Sequence, residues 1–90
     1  MRNTSLKLIN PLGLHARAAS KLVDVTKTFG STITLATDSK TADGKSIMAL
    51  LMLGAPVGTA LELTVEGEDE DHAYQAICEL INAGFHELDD

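Results

Sequence analysis

The chain lacks most of the residues that anchor small proteins. Among its 90 residues there is no Trp, one Tyr and two Phe, so the core has to be built from aliphatic side chains. The single cysteine, Cys78, cannot close an internal disulfide, and it forms no recognised zinc spacing with His72 or His86. These three are read as packing or surface residues. Basic residues are scarce: seven Lys and Arg against thirteen Asp and Glu leave a formal charge of −6. That sign repels nucleic acid and anionic membranes, and it suits a protein partner with a basic rim. No apolar run approaches the roughly 20 residues of a membrane span, and the first residues show no secretory apolar segment or cleavage site. A glycine-rich phosphate loop, a Cys-x-x-Cys pair and a calcium loop are all missing, so neither a metal nor an organic cofactor is expected. The expectation is one cytoplasmic, soluble, monomeric domain over residues 1–90, whose 44% hydrophobic content suffices for a modest core.

What is present is patterning. Residues 5–9 alternate, with Leu6 and Leu8 on one face, as in a half-buried strand. From 16 to 29, Ala16, Ala19, Leu22, Val23, Thr26 and Phe29 recur at helical spacing while Arg17, Lys21, Asp24 and Lys27 face water, with Gly30 as the stop. Residues 31–36 alternate with Ile33 and Leu35 inward, and Thr37-Asp38-Ser39 turns the chain into a second arm at 40–42. The clearest alternation is Leu61, Leu63 and Val65 against Glu62, Thr64 and Glu66, a strand inside the sheet. After Gly67, the acidic residues 68–71 suit a solvated helix start, followed by an inward stripe of Ala73, Ala76, Ile77, Leu80, Ile81 and Phe85. This order gives an α+β domain: one antiparallel sheet with helices over one face.

Two stretches carry chemistry. In Asn10-Pro11-Leu12-Gly13-Leu14-His15-Ala16-Arg17-Ala18-Ala19, a loop precedes an Ala-rich helical run, which puts His15 at or beside the N-cap. The free N–H groups of Ala16, Arg17 and Ala18, with the positive end of the helix dipole, form an anion site, and Arg17 adds a cation able to grip phosphate oxygens. Imidazole is a nucleophile near neutral pH, so a phosphoryl group on His15 would lie among those donors. Taken alone, a His-x-Arg pair fits a capping imidazole beside a solvated cation better than a nucleophile. In the second stretch Ser46 stands where a helix begins, and residues 47–53 are too apolar to be buried from two turns of helix. Some of Ile47, Met48, Leu51 and Met52 should form an exposed docking patch; the alternatives are a fully buried helix or a strand.

Leu14-His15-Ala16-Arg17-Ala18-Ala19 resembles the active-site motif of the histidine-containing phosphocarrier (HPr) family of the phosphotransferase system. The likeness extends along the chain through Gly44-Lys45-Ser46-Ile47-Met48, the 53–59 loop and Val65-Glu66-Gly67-Glu68-Asp69-Glu70. The apolar 49–53 run and the Gly84-Phe85 tail with terminal acids are similar to the nitrogen-related NPr branch, and Gly67-Glu68-Asp69-Glu70 to the sugar branch. The resemblance implies an open-faced β-sandwich of four antiparallel strands under three helices, with the first and last strands adjacent. It implies a relay in which His15 takes a phosphoryl group from enzyme I and passes it to IIA proteins, with Arg17 assisting. Ser20, Ile47, Met48 and Leu51 become the docking residues. Ser46 becomes either a plain cap or a regulatory site for an HPr kinase/phosphorylase. Ala18 replaces the family's usual proline, which should loosen the cap slightly without loss of activity. The other readings are a regulatory module of the same fold without relay, and a small ligand-binding α+β domain.

Overall fold

The computed structural model describes residues 1–87. Strands β1 (Arg2–Lys7), β2 (Thr32–Ala36), β3 (Thr41–Asp43) and β4 (Ala60–Glu66) form one antiparallel sheet in the order β1-β4-β2-β3. Helices α1 (Ala16–Thr26), α2 (Ile47–Met52) and α3 (Glu70–Asn82) complete the open-faced sandwich. Period-two alternation is what makes this possible: Leu61, Leu63 and Val65 of β4 are fully buried, whereas Glu62 and Glu66 are exposed. Register then aligns the inward residues, Leu6 opposite Leu61, Leu35 opposite Leu63 and Ile33 opposite Val65. No helix among the described residues is long and apolar enough to cross a membrane.

The helices depart from the sequence expectation at their ends. With His15 as N-cap, the inward face of α1 falls on Ala18, Ala19, Leu22 and Thr26, so Ala16 is exposed at the first turn and not inward. Thr26 is the last residue of α1, with Lys27 in a right-handed cap, so Gly30 does not stop the helix. Thr26 Oγ1 instead donates to the carbonyl of Gly44 at 2.7 Å, and Lys45 Nζ donates to that of Phe29 at 2.7 Å. Ala73, Ile77, Leu80 and Ile81 of α3 are buried as the stripe requires, but Ala76 is only partly buried. Gly84 then takes a left-handed conformation, and Phe85 reaches the core from a 3₁₀ turn (Gly84–His86) rather than from the helix. Cys78 is half-buried, and His72 and His86 are exposed.

The acidic run before α3 is more than a solvated start. Asp69 accepts from the backbone N–H groups of Gly30 at 2.8 Å and Ser31 at 3.0 Å, and from the Ser31 hydroxyl. One carboxylate thus joins the entry of β2 to the start of α3, and the Ser31 hydroxyl, followed by the Gly30 amide, holds its pKa below the ordinary carboxylate value. A carboxylate lowered in the folded state stabilises above its unfolded pKa, and the contribution is lost as pH falls through the folded one. Asp69→Ala should therefore be less stable than the parent at pH 7, and the gap should close on acidification below about pH 4. Urea unfolding followed at pH 7 and pH 3 checks this; an equal gap at both would show that the charge is not responsible.

Candidate functional site

The site is assembled from three distant pieces of chain. The first is the loop that ends in the α1 cap. Gly13 has φ +65°, and a Cβ there would lie 2.5 Å from the Ala55 carbonyl oxygen and 2.8 Å from Pro56 Cα. Glycine is what lets the loop pass so close to the second piece, and Leu14 N donates to the same Ala55 oxygen at 2.9 Å. His15 follows in extended conformation (φ −89°, ψ −178°), the backbone geometry of an N-cap.

Ala19 N to His15 O, at 2.8 Å, is an early rung of the helical ladder, which leaves the N–H groups of Ala16, Arg17 and Ala18 ahead of it. Arg17 N donates to His15 Nδ1 at 3.3 Å. A backbone N–H can only donate, so Nδ1 is unprotonated here and the ring proton resides on Nε2. Nε2 lies 2.7 Å from Glu87 Oε2, at the third piece of chain. This ion-pair geometry is partly enclosed, with His15 24% exposed and Glu87 8%.

Glu87 reaches His15 through an uncommon backbone path. Gly84, Phe85 and His86 have φ of +63°, +56° and +60°, and for the two non-glycine residues this conformation costs about 1–3 kcal/mol each. Full burial of the Phe85 ring, worth roughly 1.5–3 kcal/mol, and a 2.7 Å bond from Lys21 Nζ to the Phe85 carbonyl offset that cost. The second carboxylate oxygen accepts from Asn10 Nδ2 at 2.9 Å, while the same amide donates to the Gly13 carbonyl at 2.7 Å. Two acceptors on one nitrogen fix the Asn10 amide orientation. Burial works against ionisation of Glu87, but the bonds from Asn10 and His15 and the charge of Lys21 hold its pKa below the ordinary value.

Of the residues singled out in the sequence, His15 and the amides of Ala16, Arg17 and Ala18 come together. The Arg17 side chain is exposed on the first turn, and Ser20 is exposed farther along α1. Ala18, in place of proline, is fully buried. Ser46 caps α2, accepting from Ala49 N at 3.2 Å. On that helix Ile47, Met48 and Met52 are exposed at 39%, 68% and 69%, Leu51 is half-buried and Leu50 is the buried residue. Leu12 and Val57, on the two loops that meet at Gly13, are also exposed apolar residues and carried no signal beyond hydrophobicity itself. Asn10, Lys21 and Glu87 were not anticipated as site residues. The acids after Phe85 were the available hint for Glu87.

A family model described as "PTS HPr component phosphorylation site" matches residues 3–83. The phosphocarrier protein HPr of Pseudomonas aeruginosa is 48% identical over 83 residues, covering 91% of this chain and 92% of that protein. Phosphocarrier protein NPr of Shewanella violacea is 42% identical over 80 residues, covering 89% and 88%. Among solved structures, HPr-C-His from Thermoanaerobacter tengcongensis superposes with a TM-score of 0.93 at 37% identity, covering 97% of this chain and 98% of that one.

The Gly13 contact makes a stability prediction. Gly13→Ala adds a Cβ against three backbone atoms at a left-handed residue and should destabilise by about 1–3 kcal/mol while shifting the amide resonance of His15. Gly30→Ala is the control, because its Cβ would meet only Asp69 Oδ2 at 4.0 Å. Equal denaturation midpoints for the two variants would remove Gly13 from this role.

Proposed function

This chain belongs to the HPr family and is a phosphocarrier of the phosphotransferase system, and from that premise we propose that His15 Nδ1 is the atom that carries the phosphoryl group. The supporting observation is the cap bond from Arg17 N–H to Nδ1, which identifies the lone pair of the ring and aims it at the start of α1. At 3.3 Å this is a long, replaceable bond. When a phosphoryl group takes the lone pair, the N–H is freed to bond to a phosphoryl oxygen beside it. The amides of Ala16 and Ala18 and the positive end of the helix dipole face the same anion. Arg17, exposed on the first turn, supplies the mobile cation.

The donor is enzyme I, charged from phosphoenolpyruvate, and the acceptors are histidines of IIA proteins. Transfer between two imidazoles is in line, and positioning with charge stabilisation accounts for the catalysis. His15→Ala should abolish acid-labile labelling by enzyme I and phosphoenolpyruvate, whereas His72→Ala and His86→Ala should leave it. Arg17→Glu should slow transfer by 10-fold or more, on the order of one charge-assisted contact reversed in sign. Label retained in the His15 variant would refute the assignment.

Docking falls to the apolar rim formed by Ile47, Met48 and Met52, with Leu51 at its edge and Ser20 on the adjoining helix. Both Met side chains can adapt to more than one partner surface. Ser46 stands at the head of this rim, and phosphorylation by an HPr kinase/phosphorylase would add about two negative charges there, opposing association more than folding. Met48→Asp should weaken binding to enzyme I with the fold intact. Ser46→Asp should slow His15 labelling relative to Ser46→Ala; equal rates for the two would leave Ser46 a cap only.

A further inference from the structure

Among the groups around His15, Glu87 has no task in a relay carried by Nδ1, Arg17 and the helix amides, yet both of its carboxylate oxygens are held. One carboxylate oxygen meets Nε2 at 2.7 Å and the other is held by the buried Asn10 amide at 2.9 Å. Lys21 holds the carbonyl of Phe85, two residues earlier, and two left-handed non-glycine residues turn the chain back toward the ring. A surface tie between the C-terminal turn and a helix would need none of these.

We propose that Glu87 is a positioning residue for phosphoryl transfer, its carboxylate holding the Nε2 proton of His15 both when the ring accepts and when it donates. The inference rests on the reading of His15 as acceptor. In the accepting step the Nδ1 lone pair forms the new N–P bond while the bond from phosphorus to the donor nitrogen breaks, its electron pair staying on the donor ring. Nε2 keeps its proton throughout. The phosphorylated ring is then a cation whose charge is shared with Nε2–H, and Glu87 neutralises it from the side opposite the phosphoryl group. In the donating step the N–P electron pair returns to Nδ1 and the ring leaves as neutral imidazole. Without the Nε2 proton the leaving group would be an imidazolide anion, a far poorer one. Glu87 therefore sets the tautomer that can attack and keeps the phosphoryl group transferable afterwards.

A charge-assisted hydrogen bond of this kind is worth one to two factors of ten. Glu87→Gln, which keeps the shape and removes the charge, and Glu87→Ala, which removes both, should each slow transfer into and out of His15 by about 10- to 100-fold at pH 7. In the parent, ¹⁵N NMR of the His15 ring should show a protonated Nε2 and a bare Nδ1. In Glu87→Gln the two tautomers should mix, with the amide spectrum of the remaining domain unchanged. Parent-like rates and an unmixed tautomer in both variants, with label still on His15, would overturn the role of Glu87. Label found off His15 in the parent would overturn the acceptor assignment instead, and with it the role built on that assignment.

Discussion

A helix N-terminus presents N–H groups that must find acceptors, and at α1 one of them finds the lone pair of His15 Nδ1. The same lone pair is what a nucleophilic imidazole needs. One pair of electrons thus serves both the cap and any reaction at Nδ1, and at 3.3 Å the cap bond is a long one. Much of the surrounding fold serves to keep that imidazole at that helix end. The Gly13 approach to residues 55 and 56 holds the backbone, and Glu87, itself bonded by Asn10, meets the ring from the other side.

The two ends of the imidazole face different environments. Nδ1 looks toward backbone donors and an exposed Arg17, a region prepared for an anion. Nε2 looks toward a carboxylate that is mostly enclosed, where a proton is favoured. A ring placed between them has a preferred polarity, which neither end would give by itself. The apolar rim of α2 is separate in chemistry from this pair: it offers area without charge.

Local signals in the sequence were legible where neighbours along the chain decide the outcome. The alternation of residues 60–66 gives β4 its bounds, and Ser46 and His15 cap the helices expected of them, because a cap is a contact over two or three residues. The apolar excess of residues 47–53 foretold exposure, although which side chains stay out depends on the facing of α2: Met52 is exposed, Leu51 half-buried and Leu53 buried. Contacts across long sequence separations were not legible. Asp69 meets Ser31 across 38 residues, His15 meets Glu87 across 72 and Asn10 meets Glu87 across 77. The left-handed path at Phe85 was equally hidden, since it is imposed by the ring's burial and by Lys21 against the residue's own preference.

The pairing of β1 with β4 has a consequence for the order in which the protein is made. During synthesis from the N-terminus, β1 and the α1 segment emerge early, but β1 has no neighbouring strand until residues 60–66 have left the ribosome. β2 and β3 can form their hairpin first, and β4 must then insert between β1 and β2, closing the long loops of the sheet late. Glu87 follows after the whole of α3. A nascent chain therefore displays its histidine well before it possesses the carboxylate that meets it, and the imidazole environment is complete only once residue 87 has been added.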